Sequence, residues 1–346
     1  MNLRAVFLHG GILAALLVVA LVTREVDGEP TSRAPTGTVL IPAAEGELEA
    51  VWFERHGRSV HLVAERDERG RWFSGTATHP PRAAGGEPAA APESTVFRAG
   101  LAVVSLWVAL EPLRVSRVLT DVADDKLEEF GLAEPTGRLV LTIRGEEHAF
   151  DIGSNAFGSP DVYARDAQGR VVVLPSRAME HLTGPAVRLR ETRILETNRD
   201  GMSGLVFERG PAEGRQRLEI RQVEGDAPGR SFWAEAGATT GDERYREVVD
   251  ALLNLSAMEY TGDRALPREW QEVFTVTVLR EGRPAERMTL HRLPPATGSW
   301  DPTVAEAPPA SEFRVTSDHL RMVARVSGDP AGALMDHLLT VMGPID

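Results

Sequence analysis

Residues 5–23 carry no charged side chain, and Arg4 and Arg24 bracket them. A helix over that run spans about 28 Å at roughly 1.5 Å per residue, close to the hydrocarbon thickness of a bilayer. The pattern predicts a transmembrane anchor over residues 1–23. Arg4 and the amino terminus hold the start of the run in the cytoplasm, so the body faces the periplasm from a single pass through the inner membrane. The alternative is a cleaved signal peptide. The run is long for one, and Val18-Val19-Ala20-Leu21-Val22-Thr23 lacks a small-x-small cleavage pattern. The other reading, a buried soluble helix, is disfavoured because a helix with no polar face rarely opens a chain. His9 and the Gly10-Gly11 pair fall in the outer half-turns of the run, where such residues are tolerated; the alternative is a packing face for a partner span. Residues 24–346 hold no second apolar stretch of spanning length.

Past the anchor the pattern changes to short alternating runs, and it occurs twice. Val51-Trp52-Phe53-Glu54-Arg55 matches Leu205-Val206-Phe207-Glu208-Arg209. A second alternating run follows each, over residues 59–65 and 217–222. Each pair leads to a turn ending in Gly-Arg and then an aromatic: Gly70-Arg71-Trp72-Phe73, and Gly229-Arg230-Ser231-Phe232-Trp233. This predicts a hairpin closing on a tryptophan in each copy. One helix follows. In the first copy Phe97, Leu101, Val104 and Val108 recur at helical spacing, and Pro112 stops the helix near Leu110. In the second copy Tyr245, Val248, Val249, Leu252 and Leu255 do the same. The helices align without gaps when Val103-Val104 is laid on Val248-Val249 and Leu110 on Leu255. Strands then follow over residues 139–143, 148–152, 162–165 and 171–174, and over 274–279, 287–291 and 312–315.

The expected fold class is α+β: an N-terminal transmembrane helix, then two repeated units, each a mostly antiparallel sheet with one packed helix. The domain reading is an anchor over 1–23, a polar tether over 24–44, a first repeat over 45–200 and a second over 201–346. Residues 76–94, rich in Pro, Ala and Gly, read as a disordered loop in the first repeat, and residues 294–310 play the same part in the second. A closing helix starts at Asp329 as N-cap with Pro330 at N1, shows Leu334, Leu338, Val341 and Met342 on one face, and stops at Gly343.

Net charge is −13, from 38 basic and 51 acidic residues, which argues against nucleic acid as a partner. Lys126 is the single lysine, and the arginines are scattered. Zero cysteines exclude disulfides, thiolate metal sites and thiol nucleophiles.

Leu127-Glu128-Glu129-Phe130-Gly131-Leu132-Ala133-Glu134-Pro135 resembles a segment of a bacterial family known as a domain of unknown function, the DUF-4340 group. The resemblance continues through Asp151-Ile152-Gly153, Val162-Tyr163-Ala164-Arg165, Val171-Val172-Val173-Leu174 and Leu189-Arg190-Glu191-Thr192-Arg193-Ile194-Leu195. It covers about residues 45–200, and 200–343 by repeat. The long loop over 76–94 departs from the family pattern. The resemblance implies one anchor, repeated α+β units and a place beside ABC-type transporter permeases or gliding-motility-type auxiliary proteins. It supplies no catalytic residues.

Searching for chemistry yields exclusions. No Gly-Lys-Ser/Thr phosphate loop exists around Lys126, and residues 153–158 have glycine spacing without the lysine. Gly201-Met202-Ser203-Gly204 falls short of a nucleophile elbow. His56 and His61 are five apart on hairpin sequence and so face opposite sides of a strand if no turn intervenes, and His148, His291, His319 and His337 stand alone. Asp124, Asp125, Glu128 and Glu129 read as an exposed turn or helix start. Asn254-Leu255-Ser256 fits a glycosylation pattern but lies on a buried helix face. Trp72 and Trp233 read as core, and Trp270 and Trp300 as core or interface anchors. No catalytic, cofactor or metal residues are therefore expected. The expectation is a non-enzymatic, membrane-anchored accessory or scaffold with protein partners. One alternative is an envelope hydrolase or glycan-binding protein using carboxylates between the repeats. Another is a lipid or lipoprotein chaperone with an apolar groove.

Overall fold

The computed structural model describes residues 37–80, 92–211, 214–225, 231–293 and 312–343. The anchor over 1–23, the first part of the tether, Gly229, Arg230 and Trp300 lie outside the described residues. Among the described residues no helix is long and apolar enough to cross a membrane.

The first unit holds β1 (Thr38–Ile41), β2 (Leu48–Arg55), β3 (Arg58–Asp67), β4 (Gly70–His79) and β5 (Glu93–Arg98), then helix α1 (Leu101–Leu110). After it come β6 (Leu113–Val115), β7 (Arg117–Leu119), the short α2 (Asp124–Glu129), β8 (Gly137–Ile143), β9 (Glu146–Asn155), β10 (Val162–Asp166), β11 (Val171–Leu174) and α3 (Ser176–Thr183). The second unit holds β12 (Gly204–Arg209), β13 (Gln216–Glu224), β14 (Ser231–Glu235), α4 (Glu243–Leu253), β15 (Ala257–Tyr260), β16 (Gln271–Arg280), β17 (Arg283–Arg292), β18 (Phe313–Ser317), β19 (Ala324–Val326) and α5 (Gly328–Met342).

Alternation builds the sheets. Val51 and Phe53 on β2, and Phe274, Val276 and Val278 on β16, all point into the core. Tight hairpins fix the register. His56-Gly57, Arg144-Gly145 and Glu281-Gly282 each pair two residues of positive φ between strands that meet one residue on either side. Such turns match the right-handed twist of the strands they join.

The first sheet runs β5-β4-β3-β2-β8-β9-β10-β11-β7, and the second runs β14-β13-β12-β16-β17-β18-β19-β15. With β12–β14 read against β2–β4 and β16–β19 against β8–β11, the two orders coincide, and β5 is the one addition. Every ladder in both sheets is antiparallel. The fold is thus mixed α/β with antiparallel sheets.

Several sequence expectations need correction. Each unit packs two helices together, not one: α1 against α3, and α4 against α5. Residues 76–79 continue β4 and 93–94 begin β5, so the loop read over 76–94 is shorter, and 81–91 lie outside the described residues. Thr38–Ile41 pair with β6 instead of serving as tether. Phe97 is a fully buried strand residue, because Gly75 across the ladder leaves room for its ring. The closing helix takes Ser327 as its N-cap, two residues before Asp329, while Gly343 ends it with φ 76°.

A seam joins the units. Residues 190–193 are stitched on both sides. Glu191 N–H donates to the Arg98 carbonyl and Arg190 bridges to Ala99, while Ala257 N–H donates to the Thr192 carbonyl and Arg193 bridges to Ser256. The edges of the two sheets beside β5 and β15 are both used there.

Candidate interaction surface

Helix α1 reads LAVVSLWVAL and contains no charge. Its buried side chains are Val103, Leu106, Trp107 and Leu110, and those of α4 are Tyr245, Val248, Val249 and Leu252. Both sets follow the same i, i+3, i+4, i+7 spacing. The buried faces therefore superpose with Val103 on Tyr245 and Leu110 on Leu252. The gapless sequence alignment is three residues out of register. A three-residue slip nearly preserves helical phase, and an all-apolar helix offers no polar face to correct it.

The same observation reverses the expected face. Leu101, Val104 and Val108 keep the helical spacing that marks an inward face, yet they are 67%, 43% and 75% exposed. Trp107 explains the choice: its indole lies 4.6 Å from the Phe73 ring, and its Nε1–H donates to the Leu48 carbonyl at 3.0 Å. A buried indole requires such a partner. In the second unit the outward counterparts are Glu243, Arg246 and Asp250, where Arg246 pairs with Glu243, and Arg199 pairs with Asp250. One fold thus carries a charged outer helix in one copy and an apolar one in the other. Val187, 57% exposed, extends the apolar side on the 3-10 turn (Ala186–Leu189) packed beside α1.

The residues singled out for chemistry are scattered. Asp124, Asp125 and Glu128 lie along exposed α2, where Lys126 donates to Glu129. Ser203 Oγ donates to the Leu279 carbonyl and accepts from Gly282 N–H, tying a loop to a hairpin. His56 occupies a tight turn, and His61 faces solvent on β3. His337 stands 3.6 Å from Glu247. Trp72 and Trp233 are buried, and Trp270 lies under the Arg314 guanidinium at 4.3 Å.

The sequence reading missed the seam cluster. Glu191 is buried and accepts from the backbone N–H of Thr192 and Arg193 and from the Arg193 guanidinium, with His319 Nε2 at 3.1 Å. Burial pushes its carboxyl up, but the bonds from His319 and Arg193 together outweigh that and hold it well below the usual carboxylate range. Tyr260 Oη donates to the Glu191 carbonyl at 2.6 Å, and burial pushes that phenol up. The Arg193 guanidinium pins this carboxylate and His319 Nε2 packs against it, an arrangement that orders the linker. No local pattern marks Glu191 and His319 as partners, since 128 positions separate them in the chain.

The model of a family described as a domain of unknown function, DUF4340, matches residues 98–269. The chain belongs to that family. The DUF4340 match starts at the end of β5, later than the resemblance read from sequence, and takes in α1, the seam and the first half of the second unit. No curated protein and no solved structure matches the chain. The DUF4340-like segment at residues 127–135 is a packing device. Gly131 turns the chain with φ 67°, Leu132 is fully buried, and Ser154 N–H donates to the Phe130 carbonyl at 2.8 Å. The Phe130 ring stacks on Tyr163 at 4.1 Å.

Proposed function

We propose that the chain is a membrane-anchored, extracytoplasmic accessory or scaffold protein, without catalysis of its own, that docks onto a subunit of an envelope ABC-type transporter or gliding-motility-like complex. The apolar face of α1, uncovered among the described residues, carries this reading. Leu101, Val104 and Val108 stand where the second unit has Glu243, Arg246 and Asp250, so the fold itself does not demand apolar residues there. Burying each such side chain fully against a partner contributes at most about 1.5–3 kcal/mol. A partner with a complementary apolar helix face, held at the membrane, suits both the chemistry and the uncharged run over residues 5–23. Tethering by that run raises the local concentration, so a small contact suffices. The matching strand orders support descent of both units from one duplicated ancestor, with the first kept for docking.

Photo-crosslinking in cells tests the reading. A crosslinker at Val104 or Val108 is expected to capture a permease or auxiliary transporter subunit, and one at Arg246 is not. Capture of neither class of subunit from α1, or equal capture from Arg246, overturns it. A reporter fused at the carboxyl end should be active outside the cytoplasm.

A further inference from the structure

Because the units agree in strand order, each shows what its counterpart lacks. The repeated Phe-Glu-Arg ends in Arg55 on β2 and Arg209 on β12. Arg209 is satisfied within the chain. Its Nε donates to Gln216 Oε1 at 2.8 Å, and its Nη2 donates to the Gly343 carbonyl at the end of α5. A guanidinium at a helix C-terminus is favourable by charge and by hydrogen bonding. Arg55 has neither acceptor. Its cross-strand neighbour, at the position of Gln216, is Arg58. Helix α3 has eight residues against fifteen in α5, and the carbonyl just past its end, that of Gly184, accepts from Arg58 Nη2 at 3.3 Å. The Arg55 Nε is buried without a partner, and no guanidinium nitrogen of Arg55 makes a hydrogen bond or ion pair among the described residues.

Two guanidinium groups therefore face each other across a ladder, in a chain whose net charge is −13. Like charges placed directly opposite destabilise a sheet unless something lies between them. His56 and His79 line the same cavity, and among the described residues no carboxylate does. Glu93, paired with His79 across the next ladder, is exposed. Ser59 and Thr183 add two hydroxyls, and the apolar part of the lining is Phe53, Val60, Leu182 and Ala186, all buried. The cavity holds about 220 Å³, under the roughly 300–1,000 Å³ of drug-sized sites. It suits a small group or the end of a larger one.

We propose that this cavity binds an oxyanion carried on a short apolar group. Arg55 and Arg58 take the oxyanion as a two-sided fork, and Phe53, Val60 and Leu182 receive the apolar part. The site shares no residue with the docking face of α1 and does not depend on it.

Titration calorimetry and thermal melting of the full chain in a neutral detergent test the proposal, with hexanoate, hexyl phosphate and inorganic phosphate as probes. Hexanoate or hexyl phosphate is expected to bind and raise the melting temperature, at least tenfold more tightly than inorganic phosphate. Arg58→Gln places opposite Arg55 the amide that the second unit uses. It should weaken binding tenfold or more while leaving the unliganded melting temperature unchanged or higher. Arg55→Gln should weaken binding as much. Failure of both tailed probes at millimolar concentration, inorganic phosphate binding as tightly as they do, or undiminished binding in both variants overturns the proposal.

Discussion

Gly153 shows how a family signature can be structural. A Cβ placed there would stand 2.2 Å from the Phe130 carbonyl oxygen, which accepts from the next residue's N–H. Gly153→Ala should therefore destabilise by about 1–3 kcal/mol or more, read from urea denaturation, since backbone must move to admit the methyl. A neutral result would show that the segment tolerates a shift. Glu191 gives a pH signature. Its folded carboxyl is held below the ordinary value of 4.5, so its contribution is complete above that pH and declines as pH falls through the folded value. Comparing wild type with Glu191→Gln between pH 3 and 7, the stability difference should be largest at neutral pH and shrink below about pH 4.5. A difference flat across that range would deny the shifted carboxyl. Neither role was legible in sequence, because both depend on a neighbour brought up by the fold.

At the scale of elements, the amphipathic ones were legible. Helix α4 carries Arg244, Arg246, Glu247 and Asp250 outward, so Tyr245, Val248, Val249 and Leu252 declared its buried face. Strands β2, β3, β8, β9, β16 and β17 alternate, and their expected spans fall inside the observed ones. Helix α1 failed for the opposite reason: uniform hydrophobicity carries no phase. Short strands such as β6, β7, β15 and β19 have three or four residues and were invisible, since a period of two needs more length to register. Strand β5 was hidden beside a Pro- and Ala-rich stretch. The exposed face of α1 makes its own prediction. Val104→Glu or Val108→Glu should change folding stability by no more than about 0.5 kcal/mol, as a surface substitution does. Each should nevertheless abolish crosslinking from α1 to its partner. A large loss of stability would mean that this face already packs within the chain.

Across the whole molecule, two sheets of like order meet at a polar seam. Arg321 Nε lies 2.8 Å from Asp67, Arg264 reaches Glu65 at 3.0 Å, and Arg69 pairs with Asp318. These pairs are partly exposed, and isolated exposed pairs contribute about 0–1 kcal/mol each. A double-mutant cycle checks this: Asp67→Arg should lower the unfolding midpoint, and adding Arg321→Asp should recover part of the loss. Absence of recovery would mean that the pair is not coupled. The sequence displayed the twofold pattern but not this junction, because Glu65, Asp67 and Arg69 find partners some 200–250 positions away. The linker at residues 190–193, hydrogen-bonded on both flanks, has a practical outcome for anyone dividing the gene. Either half expressed alone would lose the strip that caps its sheet, baring backbone groups beside β5 or β15 that recruit strands from other chains. Truncation at that point should yield inclusion bodies, and a cut made elsewhere would have to carry the strip along with one half and leave the other still uncapped.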